Sequence, residues 1–443
     1  MVDGLSGATT RSSELDPSIL QPRPPVPGLV MVFADRRPAS RVFRWERPLE
    51  LGRVDFAEED AREAMISRRH VRVVLDAVGF VVTDLESRNG TFVAGQRVSG
   101  EARLPFGATL RIGGVLLVGV RDVLPFMEHG LGVRDGIVSG PALRQALDTV
   151  ALTRRAGLTQ ALLLRGETGT GKEIAAQVFH RAGPKRDAPF VPVNCATIPK
   201  DLAERLLFGS RRGAYSGATD AAGHVQAAHG GTLFLDEVAE LPAEVQSKLL
   251  RVLEMREVLR LGETRAEPVD VSICAATWRD LRAEVAAGRF REDLYFRIGQ
   301  PEVRLPPLRE RAEELPWHVQ AVLDACCEPG QLRPTAGFVE ACALRPWPGN
   351  VRELRAEVRR AAASALVSGV GSLRPEDLSA AAGQPIVRDA TDATPSYPAD
   401  EFAAALQAER GNVLAAARRL GVDRNRVRRW LERHSIAASV FKV

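Results

Sequence analysis

A chain of 443 residues is too long for one ordinary core, so about two to four domains are expected. Hydrophobic content of 45% and charged content of 26% exclude a collagen-like or wholly disordered chain, and a net charge of +4 gives no dominant global field. The five cysteines (Cys195, Cys274, Cys326, Cys327, Cys342) have no metal-ligand spacing, and their odd number suits a reducing compartment. With no 18-residue apolar run and no signal-peptide pattern, a cytoplasmic protein with no membrane contact is expected.

Residues 1–28 are polar and Pro-rich and read as a disordered lead-in. Residues 29–122 read as a β-sandwich of short strands: 29–33, 71–75, 80–83, 91–93 and 115–118 are β-branched runs between turn residues. Three loops here carry anion-suited donors: Leu51-Gly52-Arg53, Ser67-Arg68-Arg69-His70 and Ser87-Arg88-Asn89-Gly90-Thr91. Their order and wording resemble a forkhead-associated (FHA) domain, a phosphothreonine reader. The resemblance implies that Arg53 and Ser67 contact the phosphate, with Arg68 nearby. It implies that Asn89, beside Arg88, holds the peptide backbone, while His70 braces the loop.

Residues 123–140 read as a linker, and helical spacing begins at Pro141. Apolar 161–164 then leads into Gly166-Glu167-Thr168-Gly169-Thr170-Gly171-Lys172 and a helix opening at Glu173. Strand, Gly-rich turn, lysine and helix form a phosphate loop, in which backbone N–H groups and Lys172 cradle the phosphates of ATP. A Ser or Thr commonly follows that lysine to hold Mg2+; here Glu173 is offered as a metal ligand with Asp236. The apolar run 232–235 ends in Asp236 and Glu237, suited to Mg2+ and to polarising the attacking water. Further strands end at Asn194 and Thr277, giving a parallel α/β sheet with its site at the strand C-termini.

The loop Gly213-Ala214-Tyr215-Ser216-Gly217-Ala218, together with 290–297, 305–311 and 347–354, makes residues 136–383 resemble the AAA+ module of bacterial sigma-54-dependent activators. That family also carries an acidic residue after the loop lysine. The resemblance implies an ATPase subdomain at 141–306 and a helical lid at 307–383. It makes Asn194 a switch partner of Glu237, Thr277 a sensor and Arg352 a sensor in the lid. It makes Arg291 and Arg297 fingers acting on a neighbouring subunit, hence a homo-oligomer, usually a hexameric ring. It makes Gly213–Ala218 the contact with sigma-54 RNA polymerase. The chain departs from the family pattern at Tyr215, Ser216, Leu207, Trp278 and 223–226.

Residues 384–399 read as a linker. In 400–443, a helix capped by Asn412 is followed by a turn at Gly421 and a second helix capped by Asp423. Seven arginines against two acids lie between 418 and 433. The tail resembles the Fis-type helix-turn-helix, which implies contacts of Arg424, Asn425, Arg426, Arg428 and Arg429 with double-stranded DNA. The whole reads as an ATP-hydrolysing transcription activator governed by a phosphothreonine protein or a phosphorylated sister chain. The alternative is a DNA-binding regulator or AAA+ remodeller that no longer activates sigma-54 polymerase.

Overall fold

The computed structural model describes residues 23–59, 65–157, 161–184, 186–214, 219–385, 399–420, 427–428, 430–431 and 440. Most of the expected lead-in, most of the 384–399 linker and the greater part of the second tail helix lie outside the described residues. The chain divides into two compact units after Gln384.

The first unit opens with ten strands: β1 (Gly28–Ala34), β2 (Arg37–Arg44), β3 (Leu49–Leu51), β4 (Val71–Asp76), β5 (Gly79–Asp84), β6 (Thr91–Val93), β7 (Gln96–Arg97), β8 (Glu101–Pro105), β9 (Thr109–Ile112) and β10 (Val115–Val120). They form two antiparallel sheets, ordered β2-β1-β10-β9-β6-β7 and β3-β4-β5-β8. Leu29, Met31, Leu110, Val115 and Leu117 fill the space between them with Val73, Phe80, Val82 and Leu104. A strand in such a sandwich normally buries one face and alternates with polar residues. β1 is buried along its whole length. Its other face (Val30, Val32, Phe33), with Leu116 and Val118 of β10, joins a second core made by the lid helices.

The stretch expected as a linker is structured. It holds α1 (Leu124–His129) and a hairpin of β11 (Gly132–Arg134) and β12 (Ile137–Ser139), which feeds α2 (Pro141–Arg155).

The α/β layer follows. Its elements are β13 (Ala161–Arg165), α3 (Lys172–Arg181), β14 (Phe190–Asn194), α4 (Lys200–Phe208), α5 (His224–Ala227), β15 (Thr232–Asp236), α6 (Ala243–Met255), a small hairpin β16 (Glu257–Val258) and β17 (Glu267–Pro268), β18 (Ser272–Thr277), α7 (Leu281–Ala286), α8 (Glu292–Ile298) and β19 (Glu302–Arg304). The central sheet has the order β14-β15-β18-β13-β19, and every pairing is parallel. Register sets Asn194 beside Asp236 and Thr277 beside Arg165, so the ends that carry polar residues lie along one edge of the sheet. Apolar residues cover both faces, which is why these strands read as continuous apolar runs.

The lid comprises α9 (Leu315–Cys326), β20 (Arg333–Pro334), α10 (Ala336–Ala343), α11 (Asn350–Val367) and β21 (Ser372–Leu373). It packs on the outer face of β1 and β10 and is pinned there by Glu340. This buried carboxylate accepts hydrogen bonds from Gly95 N (3.1 Å), Thr109 Oγ1 (3.4 Å) and Arg111 Nε (2.5 Å). The Arg111 guanidinium also stacks 3.8 Å above the Phe92 ring.

The second unit contains α12 (Ala399–Ala408) and α13 (Val413–Arg419). Asn412 caps α13 by accepting from Leu414 N and Ala415 N, a cap that contributes about 1 kcal/mol. Phe402 stacks on Trp430 at 5.5 Å, and Leu406, Ala416, Ala417, Val427 and Leu431 complete a small core.

Candidate nucleotide and phosphopeptide sites

The phosphate loop joins the C-terminal end of β13 to α3. Gly169 and Gly171 have φ of +79° and +106°, a region that favours glycine. A Cβ on Gly169 would also lie 2.4 Å from Gly349 O, so the loop touches the lid directly. Asn350, fully buried with φ +51°, strengthens that contact. Its Nδ2 donates to Glu167 Oε2 (3.1 Å) and Thr168 O (3.1 Å), and its Oδ1 accepts from Leu308 N (2.7 Å). Arg309 forms a two-pronged ion pair with Glu167 and holds its carboxyl below the usual range.

Lys172 is buried. Its Nζ donates to Gly166 O at 3.0 Å and lies 3.4 Å from Glu237 Oε1. Glu237 follows β15 with φ +54°, a conformation that costs a non-glycine residue about 1 kcal/mol or more. Burial raises its carboxyl pKa and Asp236 adds to the rise, while Lys172 opposes it. The strained turn therefore sets a carboxylate of raised basicity against the phosphate-binding lysine, a combination suited to general-base work.

These groups line a cleft of about 600 Å³ with Thr168, Gly169, Thr170, Gly171, Glu173, Asn194, Asp236 and Arg352. Among the described residues no group of three or more His, Cys, Asp or Glu is placed to hold a metal ion by itself. The pair Asp236 and Glu173 still fits Mg2+, which takes one or two carboxylates and completes its shell with phosphate oxygens and water.

The other residues given roles by resemblance have the following partners. Asn194 lines the cleft, but its Oδ1 accepts from Ala196 N (3.0 Å); among the described residues Lys172, not Asn194, is the side-chain partner of Glu237. Thr277 is fully buried and accepts from Arg279 N (3.0 Å), while its carbonyl receives Gly166 N (3.1 Å). Arg291 pairs with Asp293, and Arg297 with Glu254; neither lines this cleft. The sequence reading gave no role to Arg311, His318, Arg355 and Arg359, which do line it. The buried Arg311 donates to Thr170 O (2.8 Å) and to Glu314 Oε2 (2.9 Å), while Glu314 Oε1 takes Gly140 N (2.7 Å). Only the charge run around residues 309–314 hinted at this bracing, and such a run usually marks a solvated face.

Burial and the neighbouring Glu314 push Glu313 up to about 8. A folded-state pKa above the ordinary glutamate value of 4.5 makes stability fall as pH rises from about 4.5 to about 8, because the unfolded chain releases a proton that the fold retains. Glu313→Gln is expected to lessen that fall, which thermal melts at about pH 6 and about pH 9 would reveal.

The expected polymerase-contact loop has a defined stem. Ser210 and Ala221 exchange backbone hydrogen bonds, and Arg212 N donates to Asp220 Oδ1. Gly213 and Ala214 are described, whereas Tyr215, Ser216, Gly217 and Ala218 lie outside the described residues. Two departures from the family wording sit in this stem. Leu207 is buried, and Gln226 bridges Gly223 N (2.9 Å) and Phe208 O (2.9 Å). Trp278 is instead 56% exposed.

In the sandwich, the three donor loops converge. Gly52 passes so close to Arg68 that a Cβ there would lie 1.9 Å from Arg68 O. Arg53 N bonds to Ser67 O (3.0 Å), and Arg53 Nε bonds to Ile66 O (3.0 Å). Ser67 Oγ accepts from Arg88 N (3.1 Å), and Asn89 Nδ2 donates to Met65 O (2.8 Å). Arg53, Arg68, Arg88 and Asn89 are exposed. Burial lowers the His70 pKa; the neutral ring takes Ser67 N on Nδ1 (3.1 Å), and Nε2 lies 3.3 Å from Gly90 O. In the tail, Arg428 is exposed, and Arg424, Asn425, Arg426 and Arg429 lie outside the described residues.

The family model described as the sigma-54 interaction domain matches residues 137–304, and that of the FHA domain matches residues 50–113. The transcriptional regulatory protein GlrR of Escherichia coli K12 is 36% identical over 317 residues, covering 70% of each chain. The chain belongs to the sigma-54-interacting transcriptional regulators. It is also 43% identical over 242 residues to the Nif-specific regulatory protein of Rhizobium etli, but this match covers 54% of the regulator and 41% of that relative. The crystal structure of NtrX from Brucella abortus in complex with ATP superposes with a TM-score of 0.51 at 28% identity, over 68% of the regulator and 69% of NtrX. Among its described residues no helix is long and apolar enough to cross a membrane.

Proposed function

We propose that this chain is an ATP-driven activator of sigma-54 RNA polymerase, tethered to double-stranded DNA by its tail and governed by phosphothreonine recognition. The observation that carries the reading is the cleft that brings Lys172, Asp236, Glu237 and the lid residue Arg352 around one phosphate loop. Lys172 and the loop N–H groups bind the phosphates, and Glu237, whose basicity is raised by burial, takes a proton from the attacking water. Mg2+ held by Asp236 and Glu173 would supply positive charge to the phosphate oxygens. Arg291 and Arg297 lie outside this cleft and are suited to reach a neighbouring subunit's nucleotide, so the active form is a homo-oligomer, read as a hexameric ring.

The Gly213–Ala218 loop then delivers the hydrolysis cycle to sigma-54. The buried position of Leu207 and the bridging by Gln226 support a working stem despite the altered wording. Arg53, Ser67, Arg68, Arg88 and Asn89 form the phosphothreonine surface, for a partner protein or a sister chain. The exposed Trp278, beside the sensor position, favours the second reading: a regulator or remodeller that does not open sigma-54 promoters.

Open-complex formation by purified sigma-54 polymerase, ATP and this protein distinguishes the readings. ATP-dependent open complexes support activation. Turnover without open complexes assigns the ATPase to another client, and no turnover leaves a DNA-binding regulator.

A further inference from the structure

The cleft that holds Lys172 and Glu237 is also lined by Gly136, Ile137 and Val138 of the hairpin, Leu143 of α2 and Val351 of the lid. Apolar lining beside a phosphate cradle suits a planar nucleobase. One of the polar groups that line the same cleft is a ring. His318 on α9 is 4% exposed and lines the cleft. Its Nδ1 has no hydrogen-bond partner among the described residues. A buried polar atom left unpaired costs about 1–3 kcal/mol, so a group that satisfies it on binding contributes both affinity and selectivity.

The neighbours of the ring decide which group fits. Glu314 Oε2 lies 3.5 Å from Nε2, the side on which a carboxylate favours the N–H. Burial lowers the His318 pKa, so the ring is neutral. A neutral ring with its proton on Nε2 presents a lone pair at Nδ1, which accepts a hydrogen bond and cannot donate one.

We propose that His318 is a specificity residue that accepts a hydrogen bond from the exocyclic amine at position six of a purine, so that the cleft takes 6-aminopurine nucleotides in preference to 6-oxopurine ones. The inference rests on the reading of this cleft as a nucleotide site. A 6-oxo group presents a carbonyl to the same lone pair and leaves both acceptors unpaired. Arg311 and Arg355 supply the positive field near His318 and disfavour its protonation, which would turn Nδ1 into a donor.

Equilibrium binding of ATP, ITP and dATP to the full chain, followed by calorimetry, tests this. ITP replaces the amine by a carbonyl; dATP lacks the ribose 2′-hydroxyl. The wild type is expected to bind ATP about tenfold or more tightly than ITP, with dATP close to ATP. His318→Leu is expected to reduce the ATP-to-ITP ratio to below about threefold. A residue that only supports the fold would weaken both nucleotides alike and leave the ratio unchanged, which overturns the proposal. A wild-type ratio near one overturns it without any variant, as does selective loss of dATP binding, which assigns His318 to the ribose. If nucleotides bind but are not hydrolysed, the ATPase reading fails while the measured ratio still decides the role of His318. If no nucleotide binds, both fall.

Discussion

Lys172→Ala is expected to reduce ATP turnover by about 10²–10³-fold or more, the loss seen when one preorganised positive donor is removed from a phosphoryl-transfer site. The side chain is buried, and among the described residues its polar partners are the Gly166 and Glu167 carbonyls and Glu237. Glu237 loses its cation but lines the cleft, where water can replace it, so the loss should fall mainly on turnover. Steady-state phosphate release, with a thermal melt as control, checks it. Turnover within about threefold of the wild type would remove Lys172 from the chemistry.

Glu340→Ala is expected to loosen the sandwich from the lid. This carboxylate, 4% exposed, serves three donors of the sandwich and none of them is in the lid. Removing one partner of a buried ion pair costs about 3–5 kcal/mol, and the partial exposure of Arg111 points to the lower end. Glu340→Gln keeps an oxygen acceptor and should lose less. The expected signature is a separate, earlier melting transition for residues 29–122 together with faster proteolysis near the 123–140 segment. A single unchanged transition would mean that the apolar contacts of Val30, Val32, Phe33, Leu116 and Val118 hold the domains together by themselves. The same lid places Asn350 and Arg352 against the phosphate loop, so the lid touches both the sandwich and the nucleotide cleft.

Much of this was legible in the sequence because its signals are local. The phosphate loop, the carboxylates after 232–235, the donor loops of the sandwich and the Asn412 cap all lie within short windows with special backbone needs. What escaped depends on long-range contact. The segment 123–140 is interrupted by four glycines and shows no regular apolar period, yet its hairpin lines the cleft. The interface at Glu340 joins residues more than 200 positions apart. Its one sequence trace was the unbroken apolar run of β1, which a strand with a single buried face does not need. Asn194 was assigned by resemblance to hold Glu237; the structure adds that its Oδ1 also caps the turn after β14.

The central claim is that phosphothreonine recognition by the sandwich controls ATP-driven opening of sigma-54 promoters. The most direct measurement is open-complex yield on promoter DNA with sigma-54 polymerase and ATP, titrated with a phosphothreonine peptide, for the wild type and Arg53→Ala. The guanidinium offers charge-assisted hydrogen bonds of about 1.5–3 kcal/mol to a phosphate, so its loss should weaken the peptide by roughly 10–100-fold. The account predicts that the peptide changes the yield of the wild type, and that Arg53→Ala keeps the basal yield but no longer responds over the same range. An equal response in both proteins, or none in the wild type, would contradict it.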